Sequence, residues 1–318
     1  MDALASLVAG PRASGAHLVR AVMEPPWSIS VEDGSPLALV AVTRGTLWFR
    51  REGHAPIQLE EGTIALVQGP DPYIVSHSAD AEPTIVVLPG NDCRSLDGRS
   101  IAQSMRLGVR SWGTASLDGP PGPHTTEMLI GAYESVGAVG QRVLATIPSS
   151  ITTTAHALDS PLVELLGAEI DKAHPGQPVV LDRLLDLLVV AVLRAWLTSC
   201  SHQRAGWFQS HLDDVVGPAV ALLHDHPERP WTVAGLAAEV GVSRAALARR
   251  FTELVGQPPM TYLTEWRLAL AADLLAQPGA TVTSVSREVG YSTPYAFSAA
   301  FKRVRGISPA EHRHRARA

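Results

Sequence analysis

The chain has 318 residues, of which 46% are apolar and 18% charged, and a formal net charge of −5. Such a length allows about two domains, and such a composition excludes wholesale disorder. An acidic average also counts against a general nucleic-acid binder, unless the charge divides unevenly along the chain.

Two cysteines, Cys93 and Cys200, cannot build a disulfide framework and suit a reducing compartment. Asp2 stands where a signal peptide carries a basic residue. The longest apolar run, seven residues at 187–193, falls short of the roughly 18 needed to span a bilayer. A cytoplasmic protein with no membrane association is expected.

Short strands are expected at 17–23, 27–31, 37–43, 46–50, 63–68, 73–77 and 84–89, with another at 106–112. They are rich in β-branched and aromatic residues and separated by Gly/Pro turns, the pattern of an all-β sandwich or barrel. The proline-glycine stretch 119–123 ends this region, and the period then becomes helical. Ser160-Pro161 opens one helix, with Leu162, Leu166 and Ile170 at spacing four. A second runs from Pro178 to Thr198. Leu181, Leu185, Leu188, Val192 and Trp196 line one of its faces and Leu184, Leu187 and Ala191 another. A helix apolar on two faces needs cover on both, from its own domain or from a partner subunit. Three segments are therefore expected: a β domain at 1–115, a helical linker and dimerisation segment at 116–205, and a helical domain at 214–315.

That last domain contains a repeat. Val240-Gly241 is followed by Leu247, Phe251, Gly256 and Pro259; Val289-Gly290 is followed by Phe297, Phe301, Gly306 and Pro309. Each copy carries the parts of a helix-turn-helix, at about 232–254 and 282–304. Thr232 caps the first helix of copy one, and Thr281 or Thr283 that of copy two. Gly241 and Gly290 permit the turns, and Ser243 caps the next helix of copy one. Between the copies, Tyr262, Trp266, Leu270 and Leu274 mark a strut about 25 Å long. From residue 218 onward, 12 basic and eight acidic side chains give +4, leaving −9 for the remainder. The acidic average therefore conceals a basic half suited to phosphates.

Both copies together resemble the DNA-binding domain of AraC/XylS-type transcriptional regulators, and the β region resembles the cupin-like sensor domain of one subgroup. His312 departs from the family's usual Tyr before the Arg, a change expected to affect local packing. The resemblance implies a multidomain α and β fold: a cupin-like β-barrel with trailing helices, then an all-α double helix-turn-helix. It implies a non-enzymatic regulator that binds a double-stranded operator, with RNA polymerase as a further partner and a small-molecule or redox effector; the homodimer expected beside it rests on the surplus apolar surface of 178–198 alone.

Arg244, Ala245, Ala248 and Arg249 fall on the outward face of the first recognition helix. A guanidinium can take guanine O6 and N7 together; the resemblance implies that Arg249 is the base reader and Arg244 the phosphate contact, the alternative being that both only neutralise phosphate. Arg250 lies toward the flank, as a solvated or ion-paired charge. Thr293, Tyr295, Ser298 and Ala299 face outward from the second helix, with Lys302 and Arg303 toward phosphate. Arg305, Arg313, Arg315 and Arg317 form a basic tail expected to attract phosphate diffusely.

Cupin resemblance raises the question of a metal. The pattern's later Pro and His positions hold Gln68 and Tyr73 after Gly62, and His17, His54 and His77 lack ligand spacing. No cofactor is expected. Trp27, Trp48, Tyr73 and Trp112 are candidate ligand-pocket residues, with core packing the alternative for each. Cys93 is an inert thiol or a redox sensor; Asp92 and Asp97 disfavour its thiolate and Arg94 opposes them. Two other readings of the chain are a cupin-type enzyme and an architectural DNA-binding protein without effector response.

Overall fold

The computed structural model describes residues 17–106, 110–115, 121–158, 160–199 and 213–316. The chain divides into two compact units. The first contains residues 17–135 and 148–199 of the described chain, the second 136–147 and 213–316.

The first unit has twelve strands among the described residues: β1 (His17–Met23), β2 (Ser28–Val31), β3 (Leu37–Arg44), β4 (Thr46–Arg50), β5 (Ile57–Glu60), β6 (Thr63–Gln68), β7 (Tyr73–Ser76), β8 (Ile85–Leu88), β9 (Asp92–Ser95), β10 (Ser111–Gly113), β11 (Thr126–Tyr133) and β12 (Ser150–Thr154). They form two six-stranded sheets, ordered β10-β1-β11-β3-β6-β12 and β5-β4-β7-β2-β8-β9. Among the described residues the cupin-like architecture is two sheets around a shared core, with no closed barrel. Side chains of period two fill that core: Ile29 and Val31, Leu47 and Phe49, and Tyr73 and Val75 from one sheet meet Val40, Val42, Ala65, Val67 and Met128 from the other.

The β region extends past the boundary expected at 115, because β11 and β12 both belong to the first sheet. β11 (TEMLIGAY) is buried on both faces, so it lacks the alternation that marks a half-exposed strand. Edge strand β12 (SITTT) is short and polar, and β5 and β9 are four-residue edges. Residues 116–205 are therefore not a purely helical linker.

Helices α1 (Ala138–Leu144), α2 (Leu162–Ile170) and α3 (Gln177–Ser199) follow β11, with β12 and a 3₁₀ turn at Ala155–Leu158 between α1 and α2. α2 and α3 pack together, and Leu185 of α3 sits on Gly131 of β11. A Cβ at Gly131 would come within 2.6 Å of the Leu185 Cδ1, so glycine admits the helix. The Tyr133 hydroxyl donates to the buried Asp186 carboxylate at 3.1 Å, and Arg183 pairs with Asp186 at 3.0 Å.

The second unit contains α1 and α4 (Val216–Asp225), α5 (Val233–Glu239), α6 (Arg244–Val255), α7 (Pro259–Ala276), α8 (Val282–Glu288), α9 (Pro294–Arg305) and α10 (Pro309–Arg315). α4, α5 and α6 share one core with the start of α7, where Leu236, Leu247, Phe251 and Tyr262 are buried. α8 and α9 share another with its end, through Val285, Phe297, Phe301 and Leu275. Among the described residues no helix is long and apolar enough to cross a membrane.

Candidate nucleic-acid interface

Local chemistry builds the two helix-turn-helix units. The Thr232 hydroxyl accepts the Gly235 amide at 3.0 Å and opens α5. Gly241 takes a left-handed φ of 72° in the turn. The Ser243 hydroxyl accepts the Ala246 amide at 3.2 Å and opens α6. In the second unit Thr281, not Thr283, caps α8, in a capping box with Ser284. Gly290 has φ 82°, and a Cβ there would lie 2.7 Å from the Glu228 carbonyl and 2.8 Å from an Arg267 nitrogen. The Thr293 hydroxyl accepts the Ala296 amide at 3.1 Å and opens α9.

These caps fix which faces point outward. On α6, Leu247 and Phe251 are buried, whereas Arg244, Ala245 and Arg249 are exposed and Ala248 is half-buried. The Arg249 side chain is 77% exposed and its Nε is 4.0 Å from Glu253, too loose to restrain it. Arg250 turns the other way and pairs with Asp213 at 2.6 Å. Burial alone would raise the Asp213 pKa; the Val216 and Val215 amides and Arg250 outweigh it and hold the carboxyl below its usual range. Arg250 is thus ion-paired and ties α6 to the start of α4.

On α9, Phe297 and Phe301 are buried, and Thr293, Tyr295, Ala299, Lys302 and Arg303 are exposed with Ser298 half-buried. Tyr295 is 86% exposed, which leaves a whole aromatic ring facing outward. Thr252, Ser292 and Ala296 join the two exposed faces. Sequence reasoning missed them, although Thr252 lies one turn beyond Ala248 and was accessible to a helical wheel. The basic tail is more structural than expected. Arg313 donates to the Ala280 carbonyl at 3.3 Å, Arg315 pairs with Glu311 at 2.6 Å, and Arg305 is half-buried; Arg317 lies outside the described residues. His312 does pack locally, with Nε2 3.1 Å from the Ala272 carbonyl and its ring edge-on to Phe301.

In the first unit, the four aromatic candidates do not converge on one pocket. Trp27 and Tyr73 are buried in the core between the sheets, and Trp112 packs against it. Trp48 alternates with the inward Leu47 and Phe49 on β4 and so faces the other way. A cavity of about 760 Å³ takes Tyr73 but none of the three tryptophans into its lining, which also includes Ser30, Arg50, Arg51, His54 and Asp71. Arg51 is buried there, donating to the Ser149 carbonyl at 2.8 Å and pairing at 2.9 Å with Asp71, whose side chain is 75% exposed. His77 Nδ1 is held by the Trp27 backbone, and among the described residues no three His, Cys, Asp or Glu side chains gather as a metal site. Cys93 is half-buried on β9, and burial, then the Asp92 charge, push its thiol pKa up. Arg94 is spent on Asp92 at 2.7 Å.

Comparison with known proteins agrees with this layout. A cupin family model matches residues 2–198, and a helix-turn-helix domain model matches residues 236–315. A putative AraC-like transcription regulator of Streptomyces lividans is 31% identical over 97% of this chain and 92% of its own length. The HTH-type transcriptional regulator AlkR of Acinetobacter baylyi is 25% identical over 98% of this chain and 99% of its own. Among solved structures, an AraC-type transcriptional regulator from Chromobacterium violaceum aligns with 32% of this chain and 91% of its own, at 31% identity and TM-score 0.31.

Proposed function

Since the chain belongs to the AraC family of DNA-binding transcription regulators, with a cupin domain ahead of its paired helix-turn-helix units, we propose that it is a one-component, ligand-responsive switch that acts as a homodimer on cytoplasmic DNA. It is a regulator and not an enzyme, as its relatives are. Each protomer reads an operator half-site of two successive major grooves.

The observation that carries this reading is the placement of α6 and α9 in cores at opposite ends of α7. An 18-residue α7 is about 27 Å long, and successive major grooves on one DNA face lie about 34 Å apart. Arg249 reads bases from α6, helped by apolar contact from Ala245 and Ala248. On α9, Tyr295, Ser298 and Ala299 lie against base edges, Thr293 lies beside them, and Lys302 and Arg303 meet phosphate, as Arg244 does from α6. RNA polymerase is the further partner by which such a complex alters transcription.

The effector site lies in the cavity beside Arg50, Arg51, His54 and Tyr73, since Trp27 and Trp112 are engaged in the core. Its two guanidiniums favour a small ligand bearing a carboxylate or another anion, with exposed Asp71 as the displaceable competitor on Arg51. The dimer forms through the outer face of α3. Val180 and Leu187 are exposed there, with Leu184 and Ala191 half-buried on the same stripe and Leu165 exposed on α2.

Selection of duplexes from a random pool by the full-length protein, followed by footprinting, tests the reading. The expected footprint covers two adjacent major grooves per protomer; protection of one groove only would overturn it. Arg51→Ala in the full-length protein separates a sensor from an architectural protein: the level of regulation in cells shifts in a sensor, whereas an architectural protein regulates as before.

A further inference from the structure

One stretch of chain leaves the cupin unit, contributes a helix to the DNA-binding unit and returns. β11 ends at Tyr133, residues 136–147 belong to the second unit, and β12 resumes the first sheet at Ser150. The two strands that hold this excursion are not neighbours, because β3 and β6 lie between them. Any change in the spread of that sheet therefore alters the separation of the excursion's two ends.

The excursion's helix, α1, occupies the waist of α7. Tyr262 and Leu263 of α7 belong to the first helix-turn-helix core, and Leu268, Ala272 and Leu275 to the second. Between these cores, Trp266 and Ala269 form a separate cluster with Val139 of α1. Polar contacts set the register. The Asp273 carboxylate accepts the Ala138 amide at 2.6 Å and the Val139 amide at 3.1 Å. Arg142 pairs with Glu265 at 2.9 Å, and its guanidinium lies 5.7 Å from the Tyr262 ring centroid. Asp273 is 9% exposed. A buried carboxylate is costly unless its oxygens are satisfied, and here the hydrogen bonds it accepts come from the excursion. Gly137 makes the approach possible, since a Cβ there would lie 2.9 Å from each carboxylate oxygen.

We propose that residues 136–147 are the coupling element of this regulator: α1, held on α7 by Asp273 and Glu265, transmits the state of the cupin unit to the waist between the two helix-turn-helix units. The inference rests on the DNA-binding reading of α6 and α9. The return end of the excursion is held within the cupin unit by Ser149, whose carbonyl accepts from Arg51 at 2.8 Å and from the Gln68 amide at 2.9 Å. Arg51 and Ser149 also line the 760 Å³ cavity, so a ligand that engages Arg51 bears on this anchor. Coupling between two sites is reciprocal in free energy. Operator binding must therefore be felt in α1 and in the strand ends that hold it.

Hydrogen exchange on the full-length protein, with and without a duplex selected by that protein, tests the coupling. In the wild type the duplex should change protection in residues 138–144 and at the adjoining ends of β11 and β12. Asp273→Asn replaces one acceptor with a donor, and Gly137→Ala wedges α1 from the other side. Each should raise exchange of the Ala138 and Val139 amides at least tenfold and remove the duplex-induced change in β11 and β12, with duplex affinity kept within about threefold. Arg142→Ala, which removes the half-buried pair with Glu265, should weaken the same signal should either of the other variants fold poorly. Gel-shift affinity on the same samples reports separately on DNA binding. A wild-type protein that binds the duplex without any change at β11 and β12, or a change that survives all three substitutions, overturns the proposal.

Discussion

His224 of α4 lies flat against Trp266 of α7, with ring centroids 3.7 Å apart, planes 16° apart, and Nε2 2.6 Å from the Tyr262 hydroxyl. The stack joins the helix ahead of the first helix-turn-helix to the middle of the strut, and His224 is only 4% exposed. His224→Ala removes a buried ring and leaves a cavity, at an expected cost of about 3 kcal/mol. Urea unfolding of the full-length protein measures this, and a loss below about 0.5 kcal/mol would contradict the packing role.

Arg249 and Lys302 are both exposed cations, yet they should fail differently when removed. Arg249→Ala is expected to cost about 1–3 kcal/mol on the preferred duplex and to relax preference at one half of the site. Lys302→Ala should weaken all sequences about equally and reduce the salt slope by about one ion. Competition binding at several salt concentrations distinguishes them. Full sequence preference in the Arg249 variant would remove that residue from the base-reading role.

Leu187 is 55% exposed in the middle of the outer α3 stripe. If that stripe forms the dimer interface, Leu187→Glu buries an unpaired charge there and should convert dimer to monomer at micromolar concentration in sedimentation, with little change in monomer stability. A wild-type protein that sediments as a monomer would dispose of the dimer.

Cys93 is set against redox sensing, because burial and Asp92 both favour its protonated thiol. Only the thiolate attacks, so alkylation at pH 7 should be slower than for free cysteine and should accelerate as pH rises above the ordinary thiol range. Cys93→Ser should leave regulation intact. Faster modification than free cysteine at pH 7 would restore the redox reading.

Much of the DNA-binding half was readable along the chain because its determinants are local. Thr232, Ser243 and Thr293 each accept an amide three residues onward, and Gly241 and Gly290 occupy the turns that need them. Phe251 and Phe297 follow from helical spacing, and the outward faces follow from the inward ones. Arg250 was ambiguous in sequence because its partner, Asp213, lies 37 residues earlier.

In the cupin half the alternating strands were legible, but their assembly was not. β11 loses alternation by being buried on both faces, and Trp48 could be turned away from Trp27 only once the register of β4 against β7 was set. Composition and short-range spacing were enough for two classes of unit, the paired helix-turn-helix and the basic charge of that half, since each rests on residue content or on contacts within one or two turns. Tertiary structure alone decided that α1, embedded in the cupin half of the chain, belongs with α7. The bond that decides it joins Ala138 to Asp273 across 135 residues, and no periodicity along a chain reports a partner that distant.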